Sequence, residues 1–290
     1  MMTNKNKMII LGHSGFIGAH IEQKFSDSTD WDVIGKSLPD IDLTDELSAN
    51  QLNDFLSPNS TLVLAAAVKR QFGDTLQSYQ QNMAIIENVC SLIAKQPVKR
   101  VIFMSSTAVY GEETDNTNIS ENTHVNPTSY YGITKFTGER LLKKTCIENG
   151  VTSLMCLRPP LIYGVGDAGK TYGPSGFTDA ACAEQDITLW GEGDELREFI
   201  YIDDFCDVLE HLINLNFSGD LNVVSQNKYC FYDVILEIKK YIPDLIVNSR
   251  ARSKDKANNA FDASLIKSLL PPSFKFTSLS DGIAKMLSAE

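Results

Sequence analysis

The chain has no Cys-x-x-Cys spacing, no basic surplus, no long apolar run and no low-complexity tract. Its six cysteines (Cys90, Cys146, Cys156, Cys182, Cys206 and Cys230) are scattered. That excludes a disulfide frame or a metal knot and reads as reduced, mostly core residues of a cytoplasmic protein. Twenty-six basic residues against 37 acidic ones leave a net charge of −11. Binders of a phosphate backbone carry the opposite balance, so nucleic acid is excluded as a partner. Any phosphate in a ligand must then be met locally, by backbone amides and a few placed arginines. Ahead of Gly12 stands an apolar run of only Met8 to Leu11, too short for a signal-peptide core, and no run reaches membrane length.

What remains is a globular composition, 43% apolar and 22% charged over 290 residues, enough for one large or two unequal domains. The apolar strand Lys7–Leu11 runs into Gly12-His13-Ser14-Gly15-Phe16-Ile17-Gly18 and an amphipathic helix to about Phe25. Strand, glycine turn and helix make a dinucleotide-binding arrangement. The first glycine permits the turn, the second admits a pyrophosphate against bare backbone, and the third lets helix pack on strand. Ser14, Phe16 and Ile17 complete that cradle, although the spacing is Gly-x-x-Gly-x-x-Gly rather than the commoner Gly-x-Gly-x-x-Gly.

Trp31–Lys36 reads as the second strand. Its end meets an adenosine ribose in such folds, with an acid for NAD and a base for NADP. Here Lys36 and Ser37 stand there with no acid before Asp40, which argues for NADP(H); the alternative is a solvated loop lysine. Asp40–Asp45 reads as a short strand and turn with Thr44 or Asp45 as helix cap. Thr61–Ala67 and Arg100–Thr107 are apolar runs suited to a covered parallel sheet, separated by a helix near Asp74–Lys95. A helix around Ser129–Lys135 and a strand Ser153–Arg158 follow. The alternation predicts an α/β fold, a Rossmann-type doubly wound parallel sheet, with a smaller C-terminal α/β substrate-binding region.

Tyr131 and Lys135 share one helix face, four residues apart. A phenol titrates near pH 10, and a close ammonium favours its phenolate, which makes the tyrosine a usable acid/base. A packed tyrosine beside a solvated lysine is the bland alternative. The boundaries expected are 1–158 for the dinucleotide-binding domain, with 200–225 returning to it, and 159–199 plus 226–290 for the substrate region. Gly164–Gly176 reads as a mobile substrate loop. Helices are expected near Phe177–Glu184, Asp203–Leu215, Phe231–Tyr241 and Leu279–Leu287, and a strand over Leu221–Ser225.

With the glycine turn, Ser106 and Tyr131/Lys135 in this order, the chain resembles the extended short-chain dehydrogenase/reductases, and within them the NAD-dependent epimerase/dehydratase family acting on nucleotide sugars. Ser105-Ser106-Thr107-Ala108-Val109-Tyr110-Gly111, Leu157–Gly164, Leu196–Asp204 and Arg252–Asp255 with Asp262-Ala263-Ser264 resemble further family segments. The resemblance implies Ser106, Tyr131 and Lys135 as catalytic residues. It implies Gly12, Ser14, Gly15, Phe16, Ile17, Gly18, Lys36, Asp42, Leu43, Ala65, Ala66, Lys69, Asn82, Tyr131, Lys135 and Pro159 around the cofactor. For Lys69 a loop cation and for Asn82 an exposed helix position are the alternatives. Ser106, Thr107 and Tyr131 would meet the sugar, and Arg197 and Arg252 the diphosphate, a surface ion pair being the alternative for either arginine. No metal is implied.

The dehydratases carry Asp-Glu where this chain has Thr107-Ala108, and Leu161 replaces an asparagine of many epimerases. Two enzyme readings follow: a 4-ketoreductase of a 4-keto-6-deoxy nucleotide sugar using NADP(H), and a 4-epimerase with tightly held NAD. A cofactor-binding regulator without turnover is the reading from another class. A homodimer through helices Asp74–Lys95 and Tyr131–Glu148 is also implied, with substrate lying between the two regions.

Overall fold

The computed structural model describes residues 5–68, 73–113, 115–151, 153–167, 172–252 and 255–289. Lys69, residues 168–171 of the expected substrate loop, and Ser253 and Lys254 therefore lie outside the described residues. The chain divides into two compact units. The first comprises Met1–Val109, Pro127–Arg158 and Leu212–Leu221; the second comprises Tyr110–Asn126, Pro159–His211 and Asn222–Glu290.

The first unit is built on one sheet. Its elements run β1 (Asn6–Leu11), α1 (Phe16–Ser26), β2 (Trp31–Lys36), α2 (Glu46–Asn50), β3 (Ser60–Leu64), α3 (Leu76–Lys95), β4 (Arg100–Met104), α4 (Tyr130–Glu148), β5 (Ser153–Arg158) and β6 (Gly219–Asn222). The strand order is β6-β5-β4-β3-β1-β2. Every pairing from β5 across to β2 is parallel. β3 and β4 are buried along their whole length, as strands covered on both faces must be. On one face of the sheet a core cluster joins Ile9, Leu11, Leu62 and Phe103 to Ile86, Val89 and Ile93 of α3 and Leu142 of α4.

The chain leaves β1 toward β2 on one side and later returns to pair β3 on the other side. That reversal opens a crevice at the carboxyl ends of β1 and β3, where open α/β sheets bind ligands. The strand expected over Asp40–Asp45 is absent: these residues form a turn. Asp42 accepts from the backbone N–H and the hydroxyl of Thr44, at 2.8 and 2.7 Å. That local bonding competes with a ladder, and Pro39 has no N–H to give one. Asp45 caps α2 by accepting from Ser48 N–H.

The second unit holds short strand pairs. Leu161–Tyr163 runs parallel to Phe199–Tyr201, Ile187–Trp190 parallel to Val247–Arg250, and Asn116–Ile119 parallel to Asn259–Phe261. Helices Pro174–Cys182, Phe231–Lys239, Ser264–Leu269 and Leu279–Ala289 accompany them. Edge-to-face rings of Tyr172, Phe177 and Phe231 pack among them. Pro174 to Gly176, expected within a mobile loop, is the first turn of a helix, because Pro174 at its start needs no N–H partner. The strand expected over Leu221–Ser225 stops at Asn222; Ser225 instead donates its N–H and hydroxyl to Glu198.

Candidate active site

The glycine turn closes β1 onto α1 with no room for side chains. Gly12 has φ +89°, and a Cβ there would stand 2.6 Å from the Ala66 backbone nitrogen. A Cβ on Gly18 would stand 2.1 Å from the Gly12 carbonyl oxygen. Gly15 is the α1 N-cap; no side chain caps this helix end and no acid sits in its first turn. The amides at the N-terminus of α1, beside Ser14, Phe16 and Ile17, are thus open to an anion, and the helix dipole favours one. Ala65 and Ala66 continue from β3 beside the turn, Ala65 N–H donating to the Leu11 carbonyl at 2.9 Å. A cradle this bare of Cβ atoms, at the reversal of strand order, fits the pyrophosphate of a dinucleotide.

At the end of β2, Gly35 leaves space that His13 and Glu22 occupy: a Cβ would stand 2.4 Å from either. His13 Nδ1 and Glu22 Oε2 are 2.8 Å apart. The ammonium of Lys36 lies 4.4 Å from the centroid of the Phe55 ring. Leu43 is buried, its carbonyl accepting from Asn88 at 2.9 Å, while Asp42 is spent on its turn. Asn82 is 5% exposed rather than a surface residue. Its amide accepts from Val68 N–H at 2.7 Å and donates to Val68 carbonyl at 3.1 Å, which clamps the segment leaving β3.

Two of the catalytic candidates, Tyr131 and Lys135, stand on α4. Ser129 caps the helix by accepting from Gly132 N–H at 3.0 Å. Gly132 lies against the Ser-Ser-Thr-Ala segment so closely that a Cβ would meet the Ala108 carbonyl oxygen at 2.6 Å. Gly132 thereby sets α4 against the segment that holds Ser106, whose hydroxyl accepts from Ala108 N–H at 3.2 Å. Thr107 opens the 3-10 turn Thr107–Tyr110. Lys135 is 5% exposed, and its ammonium donates to the Met104 carbonyl at 2.6 Å. It lies 5.0 Å from the Phe103 ring centroid and 5.4 Å from that of Tyr131. Burial pulls the Lys135 ammonium down to about 8, and Glu139 opposes that fall.

In the second unit, Arg197 donates to the carbonyl of Leu196 at 2.8 Å, to that of Ala257 at 2.5 Å and to Glu195 at 3.1 Å. Burial holds its guanidinium below the usual arginine range. Arg252 pairs with Glu195 and, at 2.7 Å, with Asp194. The two arginines thus share Glu195. Pro159 is buried at the first position after β5.

Several residues around these groups escaped the sequence reading. Asp74 accepts from the backbone N–H of Tyr131 at 2.9 Å and of Tyr130 at 3.3 Å, tying the start of α4 to the start of α3. Glu139, one turn beyond Lys135, is 1% exposed and forms a bidentate pair with Arg158. Glu139 had a legible signal in its i,i+4 spacing from Lys135. Asp74 had none, since its contact spans 57 positions. Among the described residues no His/Cys/Asp/Glu group could hold a metal, and no helix is long and apolar enough to cross a membrane.

Residues 8–224 match the family described as NAD dependent epimerase/dehydratase. The chain is 24% identical over 281 residues to the GDP-6-deoxy-D-talose 4-dehydrogenase of Aggregatibacter actinomycetemcomitans, covering 94% of both chains. It is 22% identical over 232 residues to the GDP-L-fucose synthase of Escherichia coli, covering 73% of this chain and 70% of that one. Among solved structures, UDP-glucuronic acid 4-epimerase from Bacillus cereus, in complex with UDP-glucuronic acid and NAD, superposes with a TM-score of 0.83 at 20% identity. That likeness covers 97% of this chain and 98% of the epimerase, and it is a likeness of fold.

Proposed function

Because this chain belongs to the NAD-dependent epimerase/dehydratase family, we propose that it is a nucleotide-sugar oxidoreductase, and specifically a 4-ketoreductase of a 4-keto-6-deoxy nucleoside-diphosphate sugar. The observation that carries this is Lys135, a buried ammonium fixed on the Met104 carbonyl beside the Tyr131 ring. A buried lysine without an ion-pair role costs stability, and acid/base chemistry at Tyr131 gives it a purpose. The full-length likeness to a 6-deoxy-sugar 4-dehydrogenase supports the carbon and the sugar class, since 4-ketoreduction is that reaction run in reverse. Thr107-Ala108 supplies no carboxyl pair for dehydration.

Gly12, Gly15 and Gly18, with the α1 amides, would hold the pyrophosphate of NAD(P)(H), and Ala65, Ala66 and Asn82 would line its path. Lys36 would turn from the Phe55 ring to a 2′-phosphate, the basis for favouring NADP(H). When bound, the nicotinamide supplies or accepts the hydride. Tyr131 gives its phenolic proton to the C4 oxygen as the carbonyl becomes a hydroxyl, and Ser106 orients that oxygen by a hydrogen bond. The Lys135 ammonium stabilises the resulting phenolate until solvent returns the proton. Arg197 and Arg252 would exchange Glu195 for the diphosphate, which a guanidinium fork matches.

Mass spectrometry of nucleotides released on denaturing freshly purified protein tests this reading. A site that is empty, or that holds NADP(H), and that prefers NADPH to NADH on titration is the expected result. Stoichiometric NAD would favour a 4-epimerase, which regenerates its cofactor each cycle.

A further inference from the structure

Beneath α4 lies a chain of alternating charges that the acid/base scheme does not use. The Glu139 carboxylate accepts from Arg158 Nε at 2.8 Å and Nη2 at 2.7 Å, and from the Ser105 hydroxyl at 2.6 Å. Arg158, on β5, is 1% exposed and also reaches Asp220 of β6 at 3.2 Å. Arg140 flanks the group, 3.7 Å from Glu139 and 3.3 Å from Asp220. Cys156 stands in the same field, its thiol pushed well up by burial and then by Glu139 and Asp220. From α3 the contribution at this depth is apolar, Ile86 closing on Gly138.

A buried ion pair is a poor way to hold a strand to a helix, because well-packed apolar residues do so at no loss of stability. A charge at Glu139 has a second neighbour, however. Lys135 lies one helical turn before it, between the Phe103 and Tyr131 rings and beneath the Met104 carbonyl. Among the described residues, the Met104 carbonyl dipole and the Glu139 carboxylate favour an ammonium over an amine there while Tyr131 keeps its proton.

We infer that Glu139 is a positioning residue that keeps the proton on Lys135, and that Arg158 tempers how much of that negative charge Lys135 feels. The inference rests on Tyr131 and Lys135 acting as the acid/base pair. Ser105, next to Ser106 in the chain, ties the same carboxylate to the end of β4, so the segment that leads into Ser106 and the helix that carries Lys135 share one buried group.

The signs of two substitutions separate this role from a structural one. Glu139→Gln removes negative charge near Lys135, so the alkaline limb of the kcat/KM profile moves down by about one unit. Arg158→Met leaves Glu139 charged and less neutralised, so the limb moves up. The double variant E139Q/R158M removes both partners of the buried Glu139–Arg158 pair together, and its limb again lies below that of the parent. It carries the test if Glu139→Gln alone fails to fold. Melting temperature is followed in each. A direct readout is NMR titration of the protein labelled at lysine side chains, with the Lys135 signal assigned by its loss in Lys135→Met. Its midpoint falls in Glu139→Gln and rises in Arg158→Met. Variants that lower the melting temperature while limb and midpoint stay in place would make Glu139 a structural residue and overturn the inference. Full turnover in Tyr131→Phe would instead remove the acid/base reading, and the Lys135 titration would still report on Glu139 by itself.

Discussion

Tyr131→Phe keeps the ring and removes the only proton the scheme moves. Turnover should fall by at least about a hundredfold, the usual weight of a positioned acid/base, while cofactor affinity measured by fluorescence titration changes little. Retained activity would take Tyr131 out of its role. Lys135 has a further consequence for stability. Its folded-state titration near 8 lies below the 10.5 of a free lysine, burial being the first cause. Below pH 8 both folded and unfolded chains are protonated there, and the fold bears the full cost of the buried ammonium. Between about 8 and 10.5 the folded chain sheds the proton first, so this residue's destabilising effect fades as pH rises. Lys135→Met should therefore be inactive yet more stable than the parent at pH 7, with the difference shrinking toward pH 10 in denaturant titrations. Equal stability at both ends would contradict the burial account. Lys36→Asp should shift preference from NADPH toward NADH, the ratio of kcat/KM values being the measure; an unchanged ratio would leave Lys36 as a residue that only covers Phe55.

At the scale of elements, the glycines of the site act by exclusion. Gly132→Ala would drive a methyl to 2.6 Å from the Ala108 carbonyl oxygen, a backbone atom that cannot swing aside. A loss of about 1–3 kcal/mol is expected, with kcat lowered because α4 must back away from Ser106. A melting temperature and kcat equal to the parent would refute the close approach. The elements themselves are largely legible in the sequence: β2 and β5 have the limits expected of them, and α3 differs by two residues, because apolar runs and helical periodicity report burial directly. Asp40–Asp45 misled because its apolar residues, Ile41 and Leu43, alternate like a strand yet are buried from a turn that Asp42 and Thr44 hold. Lys36 lay where the strand end was read, but its stacking on Phe55 was invisible, since that partner comes from a separate helical turn. Motif alone makes Arg197 and Arg252 phosphate contacts; their common partner Glu195 stands two residues before one and 57 before the other, a pairing no local pattern reveals.

For the molecule as a whole, α4 exposes Tyr130, Ile133, Leu141 and Ile147, the last 72% accessible, and α3 exposes Leu76. Apolar side chains in that number along one helix fit a covered face. The homodimer proposed through α3 and α4 should sediment at twice the chain mass, and Leu141→Glu should return it to monomer; a monomeric parent would refute it. In a chain of net charge −11, Arg197 and Arg252 are held by Glu195 and Asp194, and the proposed exchange of those acids would serve one diphosphate rather than a polyanion.

Proposed hydride transfer at C4, with Tyr131 as proton donor, is read out by NADPH consumption with a nucleoside-diphosphate 4-keto-6-deoxyhexose. The expected result is one NADPH oxidised per sugar reduced, deuterium from labelled NADPH appearing at C4, and loss of both in Tyr131→Phe. Interconversion of C4 epimers with no net NADPH oxidation, or deuterium at any other carbon, would contradict it.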